Sequence, residues 1–221
     1  MTRKNNPQET IESIISVSMQ LFNEKGFEKT SMQDIIDASG FSKGAIFYHF
    51  KSKEEIFEEA MEKQYEVVKT MMQKWYDEMV GLNAREKLIR LIEYSIHDNE
   101  LNATNEEMMK IGSVSPHLVV AHMKRNITHG APVMAKVIHE GIADGSIVCE
   151  FPDECAELFM HLANYWCDPV LFDCDLETCG RRLRCLQQIM KDMGVDIMTE
   201  EIYDHTMRIT EIMLNNIQQN R

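Results

Sequence analysis

The sequence predicts an all-α fold with a small N-terminal part and a larger C-terminal part. Apolar residues recur at three- and four-residue spacing, which places them on one face of a helix, and no sustained alternation of apolar and polar residues indicates a strand. Charge separates the two parts. Residues 1–53 hold seven Lys or Arg against six Asp or Glu, a balance of +1, whereas the whole chain of 221 residues carries −13, which leaves −14 for the remainder. We therefore predict two domains, at residues 1–52 and 53–221.

Composition narrows the class of protein further. A hydrophobic content of 44% is enough for one large core, and the apolar runs are far shorter than the ~20 residues of a membrane-spanning helix. The first residues, MTRKNNPQET, lack the apolar stretch of a signal peptide, so we expect a cytoplasmic protein that does not associate with membranes. The cysteines lack the close pairs of a zinc site, so we expect reduced and mostly buried thiols. They are Cys149, Cys155, Cys167, Cys174, Cys179 and Cys185.

Three helices are expected in the N-terminal part, followed by a long helix that begins the C-terminal part. The first begins at Asn6 and Pro7, which suit a helix start, and stops near residue 26. Residues 30–33 form a capping box that begins a short helix ending at residue 40. Ser42 is positioned to cap another short helix, from residue 43 to about 49, and residues 52–55 form a second capping box. This second box begins a much longer helix, of about 28 residues.

Two short helices joined by a tight glycine-containing turn, with a preceding helix to brace them, have the spacing of a helix–turn–helix. Ile46 and Phe50 lie four residues apart and would fix the second short helix to its own core. Its other face then holds small residues, Gly44 and Ala45, that allow close approach to base edges, as well as side chains that can contact phosphates. Because the acidic remainder would be repelled by DNA, any contact with nucleic acid must come from this segment.

Residues 30–57, TSMQDIIDASGFSKGAIFYHFKSKEEIF, together with the preceding FNEKGFEK, resemble the DNA-binding signature of the TetR family of transcriptional regulators. The resemblance implies an all-helical fold in which three N-terminal helices bind DNA and the remaining helices form a ligand pocket and a dimer interface. Phe47 departs from the pattern, because the family commonly has a tyrosine there whose hydroxyl reaches a phosphate. Carried over by position, the DNA-contact residues are Thr30, Ser31, Gln33, Ser42, Lys43, Gly44, Ala45, Phe47, Tyr48, His49 and Lys53.

The C-terminal part reads as further helices at about 88–96, 106–112, 116–143, 153–171, 176–193 and 199–219, the third interrupted at residues 130–132 and the last capped by Thr199. Most of the seventeen methionines are explained by ordinary core packing, so the ligand pocket is expected from the family resemblance. Its predicted lining is Met71, Met72, Trp75, Met79, Tyr94, His97, Met108, Met123 and Tyr165. Apolar stripes on the helices at 153–171 and 199–219 are the predicted dimer interface.

Other functions stay open at this point. His117, His122 and His129 are five and seven residues apart, and Cys155, His161 and Cys167 are six apart, so neither set makes a local metal site, although distant segments could assemble one. A regulator of the same fold that senses metal or thiol oxidation is therefore an alternative. A helical enzyme has no supporting motif: a glycine-rich phosphate loop, G-x-S-x-G and H-E-x-x-H are all absent from the sequence. A helical interaction module would leave the helix at Lys43 without a purpose.

The sequence therefore predicts a dimeric, ligand-responsive repressor that binds a palindromic operator in double-stranded DNA. Its effector is expected to be a small lipophilic molecule, and a cationic or neutral one suits the acidic C-terminal part. We expect no catalytic residues, no metal and no cofactor.

Overall fold

The computed structural model describes residues 7–97 and 116–219, and the regular elements in these two ranges are helical. They are α1 (Pro7–Lys25), α2 (Met32–Ser39), α3 (Lys43–His49), α4 (Lys53–Glu78), α5 (Ala84–His97), α6 (Pro116–Arg125), α7 (Ala131–Asp144), α8 (Pro152–His161), α9 (Pro169–Phe172), α10 (Leu176–Asp192) and α11 (Glu200–Gln219). Two π-helical segments, π1 (Asn126–Gly130) and π2 (Leu162–Trp166), follow α6 and α8. Within the described ranges, none of the helices is both long and apolar enough to span a membrane.

The chain forms two compact units. The first contains described residues 7–71 and 116–121, and the second contains 72–97 and 122–219. The start of α4 belongs to the first unit because Ile56, Phe57 and Ala60 are buried in its core. The core of the first unit therefore extends beyond the domain boundary predicted at residues 52 and 53, and that boundary stays a prediction.

Aromatic rings form the centre of the first unit. Phe22 and Phe27 have ring centroids 4.9 Å apart, and the ring of Phe57 lies 5.8 Å from that of Phe27. Each of the three rings is at most 3% exposed. Because Phe22 comes from α1 and Phe57 from α4, this cluster joins the first and fourth helices in the core that also contains Ile35 of α2 and Ile46 of α3.

The start of α2 differs by one residue from the prediction. Ser31, rather than Thr30, is the N-cap: its hydroxyl accepts from the backbone N–H of Asp34, and the Asp34 carboxylate accepts from the backbone N–H of Ser31 at 2.8 Å. Thr30 is buried instead, and its hydroxyl donates to the carbonyl oxygens of Gly26 at 2.9 Å and of Leu21 at 3.3 Å. Burial of Thr30 against the end of α1 thus decides which of two adjacent cap-forming residues begins the helix.

Helix α7 lies at the centre of the second unit, where it packs against α5 and α8, while α11 packs against α10 and α5. The last residue of α7, Asp144, accepts a hydrogen bond at 2.8 Å from the backbone N–H of Ala84, the first residue of α5. Gly145 ends α7 in the left-handed conformation, with φ of 80°. Thr199 caps α11, as predicted, by accepting from the backbone N–H of Ile202 at 3.2 Å.

Two predicted long helices are interrupted by the π segments. The interruption expected at residues 130–132 is present: the N–H of Ala131 donates to Asn126 five residues back, and Pro132, which has no N–H, follows. The single helix expected at 153–171 is wrong. The α-helix ends at His161 and is followed by π2, in which the N–H of Cys167 donates to the carbonyl oxygen of Leu162, five residues back. A new short helix begins at Pro169.

Candidate nucleic-acid interface

Helices α2 and α3 are joined by a three-residue turn that begins with Gly40. This glycine has φ of 70°, in the left-handed region that residues with a Cβ rarely adopt, and it allows the chain to reverse within residues 40–42. Ile46 of α3 is fully buried and Phe50 is 5% exposed, and both lie in the core of the first unit. The predicted anchoring of α3 by these two side chains is confirmed. A helix held on this side has its opposite side available for a partner.

The outward side of α3 carries the predicted contact residues. Ser42, Lys43, Gly44 and Tyr48 are exposed, and Tyr48 reaches 79%. Ser42 caps α3 by accepting from the N–H of Ala45 at 3.2 Å. These residues form a continuous exposed surface at the start and along one face of α3, where helices of this type present side chains to base edges. Ala45, Phe47 and His49 are half-buried beside it.

Gly44 is not required by the fold. Its φ is not in the left-handed region, and a Cβ added at this position would meet no heavy atom of the described residues within 4 Å. A glycine in a helix costs stability relative to alanine, by roughly 1 kcal/mol in a helix interior. Because internal packing gives no reason for a glycine here, close approach of an external partner is the explanation that the geometry favours.

Two lysines near the end of α3 are held by backbone carbonyls. Lys51 Nζ donates to the carbonyl oxygen of Phe47 at 2.5 Å. Lys53 Nζ donates to the carbonyl oxygens of Phe27 at 2.7 Å and Glu28 at 3.2 Å, and it lies 4.5 Å from the centroid of the Phe27 ring. Lys53 therefore has a structural role in the first unit. Only one of its three ammonium N–H groups is left for the phosphate contact that the sequence predicts.

The three predicted contacts at α2 differ in availability. Thr30 is 1% exposed and its hydroxyl is already bonded to α1, so this residue is removed from the contact set. Ser31 is exposed, but its hydroxyl serves as the N-cap, and Gln33 is exposed with its amide on Asp37 at 2.8 Å. Asp34 has its pKa lowered, first by the Lys25 ammonium at 2.8 Å and then by Ser31, so the negative charge at this helix start is already neutralised by a lysine.

The predicted pocket residues do not form one group. Met71 belongs to the first unit and the others described to the second, where Trp75 and Tyr94 meet edge to face at 5.3 Å between ring centroids. His97 faces His205 at 3.9 Å. Met79 is buried, Met72 and Met123 are half-buried, and Met108 lies outside the described residues. The surface depressions around Ala135 and around Gly180 contain none of the nine.

Tyr165 lies instead in a polar cluster that the sequence analysis missed. Its hydroxyl accepts from the Asn126 amide at 2.9 Å and faces His122 Nδ1 at 2.8 Å. Burial, followed by the nearby Arg125, lowers the pKa of His122 to about 4, so its ring is neutral at pH 7 and Nδ1 accepts from Tyr165. Burial raises the pKa of Tyr165 above its usual range, which keeps the phenol protonated.

His161 completes this cluster. Its ring lies 5.8 Å from that of Tyr165, and its Nδ1 is buried with no hydrogen-bond partner among the residues that the structure describes. The four residues come from α6, π1, α8 and π2, and π-helical turns are frequent at functional sites. The signal in the sequence was a pair of residues able to hydrogen-bond at i and i+4 in each of two helical segments, 122 with 126 and 161 with 165.

Metal binding finds no support in the described ranges, where no three His, Cys, Asp or Glu side chains converge in a way that would hold an ion. All six cysteines are free thiols. The expectation that most are buried is wrong, because only Cys155 and Cys179 are buried and Cys185 is exposed.

Comparison with known protein families gives two matches. Residues 14–60 match a family model described as bacterial regulatory proteins of the tetR family, and residues 99–189 match a model described as a tetracyclin repressor-like C-terminal domain. The first match contains the helix–turn–helix at α2 and α3. Together the two models span more than half of the chain.

Individual relatives agree with these matches. The HTH-type transcriptional regulator AcrR of Shigella flexneri is 41% identical over 59 residues, which is 27% of this chain and 27% of AcrR. The HTH-type transcriptional repressor KstR2 of Rhodococcus jostii is 26% identical over 153 residues, 66% of this chain and 72% of KstR2. The matched segments thus span about a quarter to a third of the first few curated relatives.

Solved structures agree on the fold. A TetR-family transcriptional regulator from Syntrophomonas wolfei superimposes with a TM-score of 0.62 at 19% identity, over 94% of this chain and 96% of that one. GusR of Salmonella enterica gives a TM-score of 0.58 at 21% identity, over 86% of this chain and 100% of that one. The likeness extends beyond the N-terminal helices to nearly the whole chain.

Proposed function

We propose that this chain, which belongs to the TetR family of bacterial transcriptional regulators, is a repressor that binds operator DNA through α3. The observation that carries the proposal is the two-sided character of α3. Ile46 is fully buried on one side, while Lys43, Gly44 and Tyr48 are exposed on the other. The proposed contacts are the predicted ones without Thr30, with Lys53 contributing mainly to the stability of the first unit.

A single recognition helix makes too few contacts for tight, specific binding, so we propose a homodimer on a palindromic site. The two copies of α3 would enter successive major grooves ~34 Å apart. An exposed apolar residue on α11 supports the dimer: Ile212 is 60% exposed, next to the half-buried Met213. Leu162 belongs to the apolar stripe predicted within residues 153–171, but it packs partly against the core of the second unit, so it is a poor test of dimerisation.

DNA binding is tested by selecting genomic fragments with the purified protein and measuring affinity for the recovered site by fluorescence anisotropy at several salt concentrations. Lys43→Ala should weaken binding by ~1 to 3 kcal/mol, the range for one lost specific contact. Lys74→Ala is the matched control, because Lys74 is an exposed lysine of α4 outside the helix–turn–helix. Equal affinity of both variants and the wild type would remove the role of α3.

Dimerisation is tested separately by sedimentation. Ile212→Glu should give monomers with unchanged helicity and weaker operator binding, because a charge at an exposed position costs the folded monomer little. Leu162→Glu should instead lower thermal stability whatever the oligomeric state, because it places a charge against the core. A wild-type protein that sediments as a monomer at micromolar concentration would end the dimer proposal.

For the effector we propose a small lipophilic molecule that binds in the second unit and donates a hydrogen bond to His161. The support is chemical: a buried ring nitrogen without a partner among the described residues, beside the polar group formed by Tyr165, His122 and Asn126. An unpaired buried acceptor costs free energy that a ligand donor would recover. Trp75 and Tyr94, whose rings meet edge to face at 5.3 Å between centroids, stay proposed as a second ligand contact.

Effector binding is tested by thermal-shift screening of neutral and cationic lipophilic compounds, followed by operator release in the anisotropy assay. His161→Phe should lose the response to a hit while operator affinity stays intact. The chain has two tryptophans, so a Trp166→Phe background isolates the fluorescence of Trp75. A hit that releases DNA equally well from His161→Phe and wild-type protein would show that the pocket lies elsewhere.

A further inference from the structure

We propose that Cys174 and Cys179 are a modification site: hydroperoxides convert the two thiols to an intramolecular disulfide that thiols reduce again. Their Sγ atoms are 2.9 Å apart, and both cysteines are free thiols in this structure. The inference does not depend on DNA binding or on the effector, because it concerns only the chemistry of this pair.

The proximity follows from how α10 begins. Asp175 is the N-cap and accepts from the N–H of Thr178 at 2.8 Å. Cys174 therefore precedes the N-cap and Cys179 is the fourth helical residue, the two positions whose side chains pack together in a hydrophobic staple. Asp173, with φ of 44°, is the one described non-glycine residue in the left-handed region, and it makes the sharp turn that brings Cys174 back over the helix.

The two sulfurs have different surroundings. Cys174 is half-buried, and Nη1 of Arg182 lies 3.6 Å from its Sγ. The same guanidinium donates to the carbonyl oxygen of Trp166 at 2.8 Å and lies over the Phe172 ring, which holds it in place. Cys179 is buried, and burial raises its pKa to about 12, so it stays a protonated thiol. Cys174 is thus the attacking sulfur and Cys179 the resolving one.

The chemistry balances with one hydroperoxide, ROOH. The Cys174 thiolate attacks the terminal oxygen, which carries the peroxide hydrogen, and an S–O bond forms as the O–O bond breaks, so Cys174 becomes a sulfenic acid. The departing alkoxide takes one proton from solvent and leaves as ROH. The sulfur of Cys179 then attacks Cys174 Sγ, the S–S bond forms, and hydroxide leaves with the Cys179 proton as water. Two thiols are oxidised by two electrons, and the peroxide is reduced.

The other cysteines provide internal comparisons. Cys155 is fully buried and has its pKa raised to about 12 by burial and then by its neighbour Cys149, so these two are also adjacent. Cys185 is exposed on α10, which would make it the first thiol to react if exposure alone decided the outcome. A specific reaction at Cys174 is therefore distinguishable from general oxidation.

The test uses the full chain with Cys185→Ser, treated with hydrogen peroxide, alkylated under denaturing conditions and digested before each aspartate. Cleavage at Asp173 and Asp175 leaves Cys174 in a dipeptide. A disulfide to Cys179 joins this dipeptide to the peptide 175–191, with a mass loss of two hydrogens that dithiothreitol reverses. Alkylation of both thiols after peroxide, or a cross-link between Cys149 and Cys155 in their place, would overturn the proposal.

Variants test the assigned roles. Cys179→Ser should leave Cys174 as a sulfenic acid that dimedone traps, whereas Cys174→Ser should leave Cys179 reduced. Arg182→Gln should slow the reaction about threefold to tenfold, because the positive charge 3.6 Å from the Cys174 sulfur is lost. Arg182→Lys, which keeps the charge, should restore most of the rate. An unchanged rate in Arg182→Gln would remove Arg182 from the mechanism.

Discussion

Gly44 offers a test in which stability and DNA binding should move in opposite directions. A Cβ at this position meets nothing within 4 Å among the described residues, and α3 has only seven residues, from Lys43 to His49. Gly44→Ala should therefore stabilise the first unit by about 0.5 kcal/mol, less than the full propensity difference because the position is in the first turn. Gly44→Leu should leave stability close to that of the wild type, since its side chain points into open space.

Operator affinity should fall with the size of the new side chain. If α3 enters the major groove at Gly44, an added side chain occupies space that the bases need and moves the helix outward. Loss of one or two base contacts costs ~1 to 3 kcal/mol, which is roughly a fivefold to 150-fold weaker dissociation constant. We expect Gly44→Ala near the lower end of this range and Gly44→Leu near or above the upper end.

The two quantities are measured on the same preparations, by urea unfolding followed with circular dichroism and by anisotropy with the selected operator. Asn23→Leu is the matched control, because it adds an apolar side chain at an exposed position of α1. Its operator affinity should equal that of the wild type. If Gly44→Leu binds the operator as tightly as Asn23→Leu does, then this face of α3 does not enter the groove and the proposed docking is refuted.

Three further outcomes are expected. His122 has a pKa of about 4 in the fold against 6.5 in the unfolded chain, so its burial as a neutral ring is fully tolerated above pH 6.5. As the pH falls from 6.5 to 4, the free energy of unfolding should decrease by at most roughly 3 kcal/mol, because the unfolded chain binds the proton first. His122→Gln should remove this slope in pH-dependent unfolding, and His139→Gln, an exposed control, should keep it. Gly194→Ala should destabilise by more than ~3 kcal/mol, since its Cβ would lie 1.7 Å from the Val148 carbonyl oxygen, whereas Gly81→Ala, with similar φ and open space, should cost ~1 to 2 kcal/mol in the same melt. Equal losses would contradict the steric argument. Lys53→Ala should lower the stability of the first unit by about 1 to 3 kcal/mol through the lost carbonyl and ring contacts, and a pure change in the salt dependence of DNA binding, without loss of stability, would show that its ammonium binds phosphate instead.

Local chemistry made the N-terminal helices predictable. Ser42 as a cap, the glycine turn and the burial of Ile46 all follow from residues close together in the chain. The error at Thr30 and Ser31 shows the limit, because either side chain can cap a helix and the choice depends on whether Thr30 is buried against α1. Packing of Thr30 against α1, which the local sequence does not reveal, thus determines which residue caps α2.

The candidate effector site was less predictable for the same reason. Asn126 and Tyr165 are 39 residues apart, and His122 and Tyr165 are 43 apart, so neither hydrogen bond is visible in local spacing. The π segments add to the difficulty, because one extra residue in a turn changes which side chains share a face beyond it. Pro132 marked the first of these segments, while π2 ends three residues before Pro169, within a stretch whose spacing suits an uninterrupted helix.

The way α3 is attached has a consequence for divergence after gene duplication. Within this seven-residue helix Ile46 alone is fully buried, and the adjoining anchor, Phe50, lies just outside it. If α3 reads the operator as proposed, mutations at Lys43, Gly44 and Tyr48 change the bound sequence without weakening the core of the first unit. A duplicated copy would then reach new target genes through several individually tolerated steps, whereas a polar substitution at the buried Ile46 would destabilise the helix that carries them.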